Sequence, residues 1–191
     1  MIPTLSILIP SLISRTEQFQ YLKHELDKQI IHEDAKGKVD VIADIDAGQR
    51  STGEKRNKLL KCATGKYVCF IDDDDKIPSN YIKLVLKGCE EDKDCCSLRG
   101  VITWDGSKPE VFEHSLKYDE WRTNDTGVPK YERPPNHLNC IKSIIAKQFK
   151  FEEIYHGEDR KWSEAIFKSG LIKTEAVIPE IIYHYQFVTS K

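Results

Sequence analysis

Apolar residues in the first half of the chain gather into short runs, each followed by a stretch with helical spacing. Residues 4–9 (T-L-S-I-L-I) read as a buried strand ended by Pro10. Phe19, Leu22, Leu26 and Ile30 then recur at helical intervals, which predicts a helix over about residues 15–32. Residues 39–43 form the second apolar run, ending at Asp44. Ser51 and Glu54 are spaced as a capping box, so a helix starts there, and Gly65 closes it. Residues 67–71 (Y-V-C-F-I) are apolar throughout, as suits a strand inside a sheet. Pro78 is placed to open the next helix, running to about residue 91.

Strand and helix thus alternate three times, which predicts an α/β fold with a parallel, right-handed, doubly wound sheet. The second half has another rhythm. Residues 97–104 and 110–117 read as strands around a turn at 105–109. Residues 125–135 are polar and proline-containing, and read as a loop over the site. A helix over 157–169 and short strands within 174–187, broken by Pro179, complete the chain. There is no internal repeat and no sign of a domain boundary. The expectation is one domain, 1–191, with a nucleotide-binding type of half (1–96) and a mixed, partly antiparallel half (97–191).

Composition narrows the function classes. A length of 191 residues fits one domain with a real core. The 29 basic and 31 acidic residues balance to a net charge of -2, which argues against nucleic acid or a membrane surface as partner. No apolar run approaches the ~20 residues of a membrane span. Residues 2–13 are fairly apolar, but lack a preceding basic residue and contain Pro3 and Pro10, unlike a signal peptide. The six cysteines form no C-x-x-C pair. Cys62 and Cys69 read as small core residues, and the neighbours Cys95 and Cys96 as pointing to opposite sheet faces. Reduced thiols and a cytoplasmic location are expected.

Candidate chemistry concentrates where the third strand ends. Asp72, Asp73, Asp74 and Asp75 follow it directly. Two like charges ~5 Å apart at an effective dielectric of ~20 repel by about 3 kcal/mol. Lys76 is the only nearby cation in sequence. A divalent ion would relieve the conflict, and oxygen ligands favour Mg²⁺, Mn²⁺ or Ca²⁺. The bland alternative is a solvated acidic turn. Asp44 and Asp46 end the second strand at the same sheet edge, where ligands bind in open α/β sheets. Lys55 and Arg56 sit in the first turn of a helix, where cations oppose the helix dipole. A bound diphosphate would account for them, and so would plain solvation.

These segments resemble a known family. S-I-L-I-P, I-A-D and G-E-K-R-N-K-L-L-K-C-A-T-G-K-Y-V-C-F-I-D-D-D-D are similar to the GT-A nucleotide-sugar glycosyltransferases, specifically glycosyltransferase family 2. H-G-E-D-R-K-W and I-I-Y-H-Y resemble the family's later segments, so the likeness spans residues 4–187. It implies that Asp72 and Asp74 are the outer positions of a D-x-D motif. Asp74 would hold Mn²⁺ or Mg²⁺ against the donor diphosphate, while Asp72 or Asp73 meets the ribose or a metal-bound water. Pro10, Asp44 and Arg56 would belong to the donor site, with Asp44 at the base. Asp159 would be the general base and His184 a third metal ligand.

Glu158 and Asp159 also suit a helix N-terminus on dipole grounds alone, and Trp162 could wall a sugar or fill the core. His137 lies in a segment whose role stays open. Asp44-Ile45-Asp46-Ala47-Gly48 departs from the family's usual pattern, so either aspartate is a candidate for the base. The Q-x-x-R-W helix of processive synthases is absent. The implied function is metal-dependent, inverting transfer from a nucleotide-diphospho-sugar, with a UDP-sugar favoured, to a glycan or other hydroxyl acceptor. The short second half suggests a partner domain, an oligomer or a small exposed acceptor. The alternatives are a haloacid-dehalogenase-type phosphohydrolase and a non-catalytic nucleotide- or sugar-binding module.

Overall fold

The structure is a computed structural model that describes residues 2–189. Its first strand, β1 (Leu5–Leu12), pairs in parallel with β2 (Val39–Asp46) on one side and β3 (Tyr67–Phe70) on the other. β1 runs past Pro10 instead of stopping there. Its pairing with β3 ends at Leu8, so the N–H that proline lacks would face a side with no ladder left to join. β2 likewise extends beyond the predicted end at Asp44, to Asp46.

Alternation along β1 and β3 divides the core. Leu5, Ile7 and Ile9 join Cys69 against α1 (Thr16–His32) and α3 (Tyr81–Glu90). Leu8, Val68 and Phe70 face α2 (Thr52–Cys62) and α5 (Glu158–Ser169) on the other side. Cys95 and Cys96, the whole of strand β4, fall into the two separate clusters, as alternation requires. Cys62 is exposed at the end of α2, against the expectation of a core position.

Two helix starts are satisfied by side chains, one local and one from another helix. Ser51 caps α2: its hydroxyl accepts from the Glu54 amide (3.2 Å), while Glu54 accepts from the Ser51 amide (2.7 Å). α3 begins at Tyr81, three residues after Pro78. Buried Gln29 on α1 accepts from the Ile82 amide and donates to the Pro78 carbonyl, 3.0 Å in each case. A side chain from another helix thus satisfies the end that Pro78 was expected to begin.

The second half builds a smaller sheet from β5 (Leu98–Trp104), β6 (Ser107–His114), β7 (Arg122–Thr123), β8 (Tyr131–Arg133) and β11 (Ile181–Phe187), in the order β11-β5-β6-β8-β7. The turn between β5 and β6 is Asp105-Gly106, with φ of 51° and 75°, the left-handed pair of a tight hairpin. It replaces the longer turn predicted at 105–109. The short strands β9 (Ile141–Lys142) and β10 (Glu175–Ala176) return to the main sheet, whose order is β10-β4-β9-β3-β1-β2. β9 is antiparallel to β3 and β4, so the main sheet is mixed. α4 (Ser143–Ala146) follows β9. Among the described residues, no helix is long and apolar enough to cross a membrane.

Candidate active-site cleft

The carboxyl ends of β1, β2 and β3 meet the start of α5 and the end of β11 around a cleft of ≈ 620 Å³. The four aspartates after β3 occupy four different environments. Asp73 is buried; it accepts from the Ser11 hydroxyl (2.7 Å) and from Arg15 Nη1 (2.9 Å). Asp74 stands 3.1 Å from the same arginine at the cleft wall. Asp72 accepts from Arg56 Nη2 at 2.9 Å. Asp75 faces inward, accepting from the Tyr183 hydroxyl (2.7 Å) and the Gln186 amide (2.9 Å). It is a buried anchor for β11, not a surface turn residue.

The predicted repulsion within the tetrad is therefore met first by the chain itself. Arg15 and Arg56, distant in sequence, supply cations that Lys76 alone could not. Burial opposes ionisation of Asp72, but Arg56 and His137 outweigh it and hold the carboxyl well below the usual range. Asp75 goes the other way: burial, then the charges of Asp72 and Asp74, push its carboxyl far above the usual value. Residues of one type are thus split between a charged cleft wall and a carboxyl driven towards its neutral form.

The basic first turn of α2 is explained in the same way. Lys55 is buried, donating to the Ser11 carbonyl at 2.7 Å and lying 2.6 Å from Asp46. Arg56 is buried between Asp72 and Glu158, 2.9 Å from each, with its guanidinium 5.7 Å from both the Phe70 and Phe151 rings. Internal carboxylates take the place of the bound anion expected at that turn. Burial of Asp46 opposes its ionisation, yet Lys55 and the Gly48 and Arg50 amides lower its carboxyl to about 2.

Of the residues singled out from the sequence, Pro10, Arg56, Asp72, Asp73, Asp74 and Asp159 line the cleft. Asp44 does not. It lies beneath Arg50, which donates to it from Nη1 (2.6 Å) and Nη2 (3.0 Å) and presents itself to the cleft. His184 also fails to reach the site. Tyr183 and Tyr185 turn inward on β11, so strand alternation sends the intervening histidine to the exposed opposite face. Trp162 is a core residue, stacked on Phe151 at 4.6 Å, and not a sugar platform. Residues 125–135 are not only a loop, since β8 adds Tyr131–Arg133 to the smaller sheet.

A second pocket of ≈ 270 Å³ adjoins the cleft. Its walls are largely aromatic, including Trp104, Phe112, Trp121 and Tyr131, and it shares Asp72, Asp159 and Tyr185 with the cleft. Asp159 sits in the first turn of α5, set up by Gly157 in the left-handed conformation (φ 82°). Arg15, Arg50, Tyr183 and Tyr185 were not singled out as site residues, and His137 was named without a role. Only the Tyr-His-Tyr alternation carried a signal, and it marked the tyrosines.

No three His, Cys, Asp or Glu side chains among the described residues converge as a ready metal cage. Magnesium and manganese need no such cage when substrate phosphates and water complete the shell around one or two carboxylates. Asp74, with its side chain 20% exposed at the cleft wall, fits that requirement.

Sequence comparison identifies the family. The profile described as Glycosyl transferase family 2 aligns with residues 27–154. The chain belongs to this family. The chain is also 28% identical over 138 residues to the minor teichoic acid biosynthesis protein GgaB of Bacillus subtilis (strain 168), covering 69% of this chain and 15% of GgaB. Among solved structures, S. aureus TarS 1–349 superposes with a TM-score of 0.63 at 16% identity, covering 96% of this chain and 60% of that one. Its complex with UDP-GlcNAc gives 0.65 at 14% identity, covering 98% and 60%. These likenesses show that the fold is GT-A. The chain spans 15% of the length of GgaB and 60% of TarS 1–349, and family membership removes the basis for the haloacid-dehalogenase alternative.

Proposed function

We propose that this chain is a glycosyltransferase domain that moves a sugar, with inversion, from a UDP-sugar to a hydroxyl of a glycan or other acceptor. One observation carries the reading: Asp159 and Asp72 stand in the wall common to the large polar cleft and the smaller aromatic pocket. A nucleotide diphosphate suits the first by size, with Arg15 and Arg50 facing it. A sugar or polyol suits the second, because aromatic faces pack against C–H surfaces while polar tips meet hydroxyls. TarS, which shares the fold, has been solved with UDP and with UDP-GlcNAc, which supports a UDP-sugar donor. Likeness to GgaB supports an acceptor of the cell-wall polymer type.

In this reading Asp159 removes the proton from the acceptor hydroxyl. The oxygen attacks the anomeric carbon from the face opposite the diphosphate, and the bond from that carbon to the diphosphate oxygen breaks as UDP leaves. One positioned base and a single displacement give inversion. Arg15 and Arg50 offset charge on the leaving group. Mn²⁺ or Mg²⁺, held by Asp74, would add Lewis-acid stabilisation of the same diphosphate. Asp44 serves by orienting Arg50.

A thermal-shift panel of nucleotides and nucleotide sugars, with and without Mn²⁺, tests the proposal. UDP and a UDP-sugar are expected to raise the melting temperature, with a larger rise in Mn²⁺ that Asp74→Asn removes. Ligand at 100-fold its Kd stabilises by about 2.7 kcal/mol, well within detection. No shift with any nucleotide would sink the donor-site assignment.

A further inference from the structure

His137 is the most constrained side chain that the mechanism above leaves unused. It is 5% exposed, and neither ring nitrogen has a hydrogen-bond partner. Buried polar atoms are rarely left so, because desolvation without a partner is costly. Its surroundings supply two partners at slightly too long a range. Nε2 lies 3.7 Å from Asp72 Oδ2, and Nδ1 lies 3.8 Å from Asp159 Oδ2.

The backbone that carries the ring is fixed from several directions. The Phe70 amide, at the end of β3, donates to the His137 carbonyl (2.9 Å). Asn136 Oδ1 accepts from the Leu138 amide, and Asn139 Oδ1 accepts from the Asn136 amide, 2.9 Å in each case. Asn139 Nδ2 in turn donates to the Cys96 carbonyl (2.9 Å). The imidazole is therefore held between the aspartate that follows β3 and the aspartate that opens α5. Asp72 has its other oxygen, Oδ1, on Arg56, so Oδ2 is the atom it offers His137.

We propose that His137 is a positioning residue: it ties Asp159 Oδ2 to Asp72 Oδ2, leaving Asp159 Oδ1 for the acceptor hydroxyl and fixing the base relative to the donor. This rests on the reading of Asp159 as general base. The two gaps exceed the ~2.7–3.2 Å of a formed hydrogen bond, and such contacts commonly tighten only in the substrate complex. An imidazole with one proton donates to one carboxylate, and with two protons to both.

Two measurements decide it. In protein labelled with ¹⁵N-histidine, Asp72→Asn and Asp159→Asn should each move the ring-nitrogen resonances of His137. If neither variant moves them, the tie does not exist. This readout needs no turnover, so it stands even if no nucleotide sugar is bound, an outcome that would count against the functional reading alone.

Turnover is then followed as UDP release from UDP-GlcNAc or whichever UDP-sugar the thermal-shift panel selects. His137→Ala should lower kcat about 10²-fold while UDP affinity changes less than about threefold. His137→Gln, which restores one N–H donor, should recover part of the loss. Combining His137→Ala with Asp159→Asn should be no slower than Asp159→Asn alone. An unchanged kcat in a folded His137→Ala, or full additivity of the two losses, would overturn the assignment.

Discussion

Four adjacent aspartates show how little a residue's type fixes its role. Asp73 and Asp74 share Arg15, Asp72 is held by Arg56, and Asp75 is buried under Tyr183. In the proposed mechanism chemistry turns on Asp159, and its replacement is the sharpest test at this scale. Asp159→Asn should keep UDP binding while lowering transfer by roughly 10²–10⁴-fold, the usual worth of a positioned base. Calorimetry with UDP alongside a UDP-release assay would separate the two effects. Asp46 allows a test by pH. Its carboxyl titrates near about 2 in the fold, against ~3.9 in an unfolded chain. The folded state therefore binds fewer protons between those values. The stabilisation is complete above the unfolded value and is lost as pH falls through the folded one. Asp46→Asn should accordingly destabilise the protein at pH 6, with the gap in melting temperature from the parent closing towards pH 2.5.

Elements were legible where local signals governed them and less so where partners did. The capping box at Ser51 and Glu54 forms as its spacing predicts. Ser51→Ala should cost about 1 kcal/mol, read from the urea midpoint at unchanged slope. Two residues on, a constraint appears that the helical pattern hides. A Cβ at Gly53 would lie 1.8 Å from the Glu152 carbonyl oxygen, because α2 docks against residues 151–154 of the second half. Gly53→Ala should therefore cost more than Ser51→Ala, about 1–3 kcal/mol for forced overpacking, although alanine is the better helix former. The start of α3 and the far end of β1 were misplaced for the same reason. Gln29 from another helix sets the first, and the end of a neighbouring strand frees Pro10 in the second.

For the molecule as a whole, Arg56 links the two halves. It joins Asp72 after β3 to Glu158 at the start of α5, and it is buried at the cleft wall. Arg56→Met should cost about 3–5 kcal/mol, since it leaves buried Glu158 and half-buried Asp72 without their cation. Chemical denaturation would measure this, and the loss should exceed that of any exposed ion pair such as Arg160 with Glu164. The sequence by itself determined the alternation of strands and helices, the edge of the sheet that carries the site, and the acidic character of that edge. Those features rest on periodicity and on neighbours a few residues apart. Only the tertiary structure decided which aspartate meets which arginine, that Arg50 covers Asp44, that His184 faces away, and that His137 stands between Asp72 and Asp159. Each depends on the direction of a side chain across elements tens of residues apart, and that direction is fixed by strand register and packing.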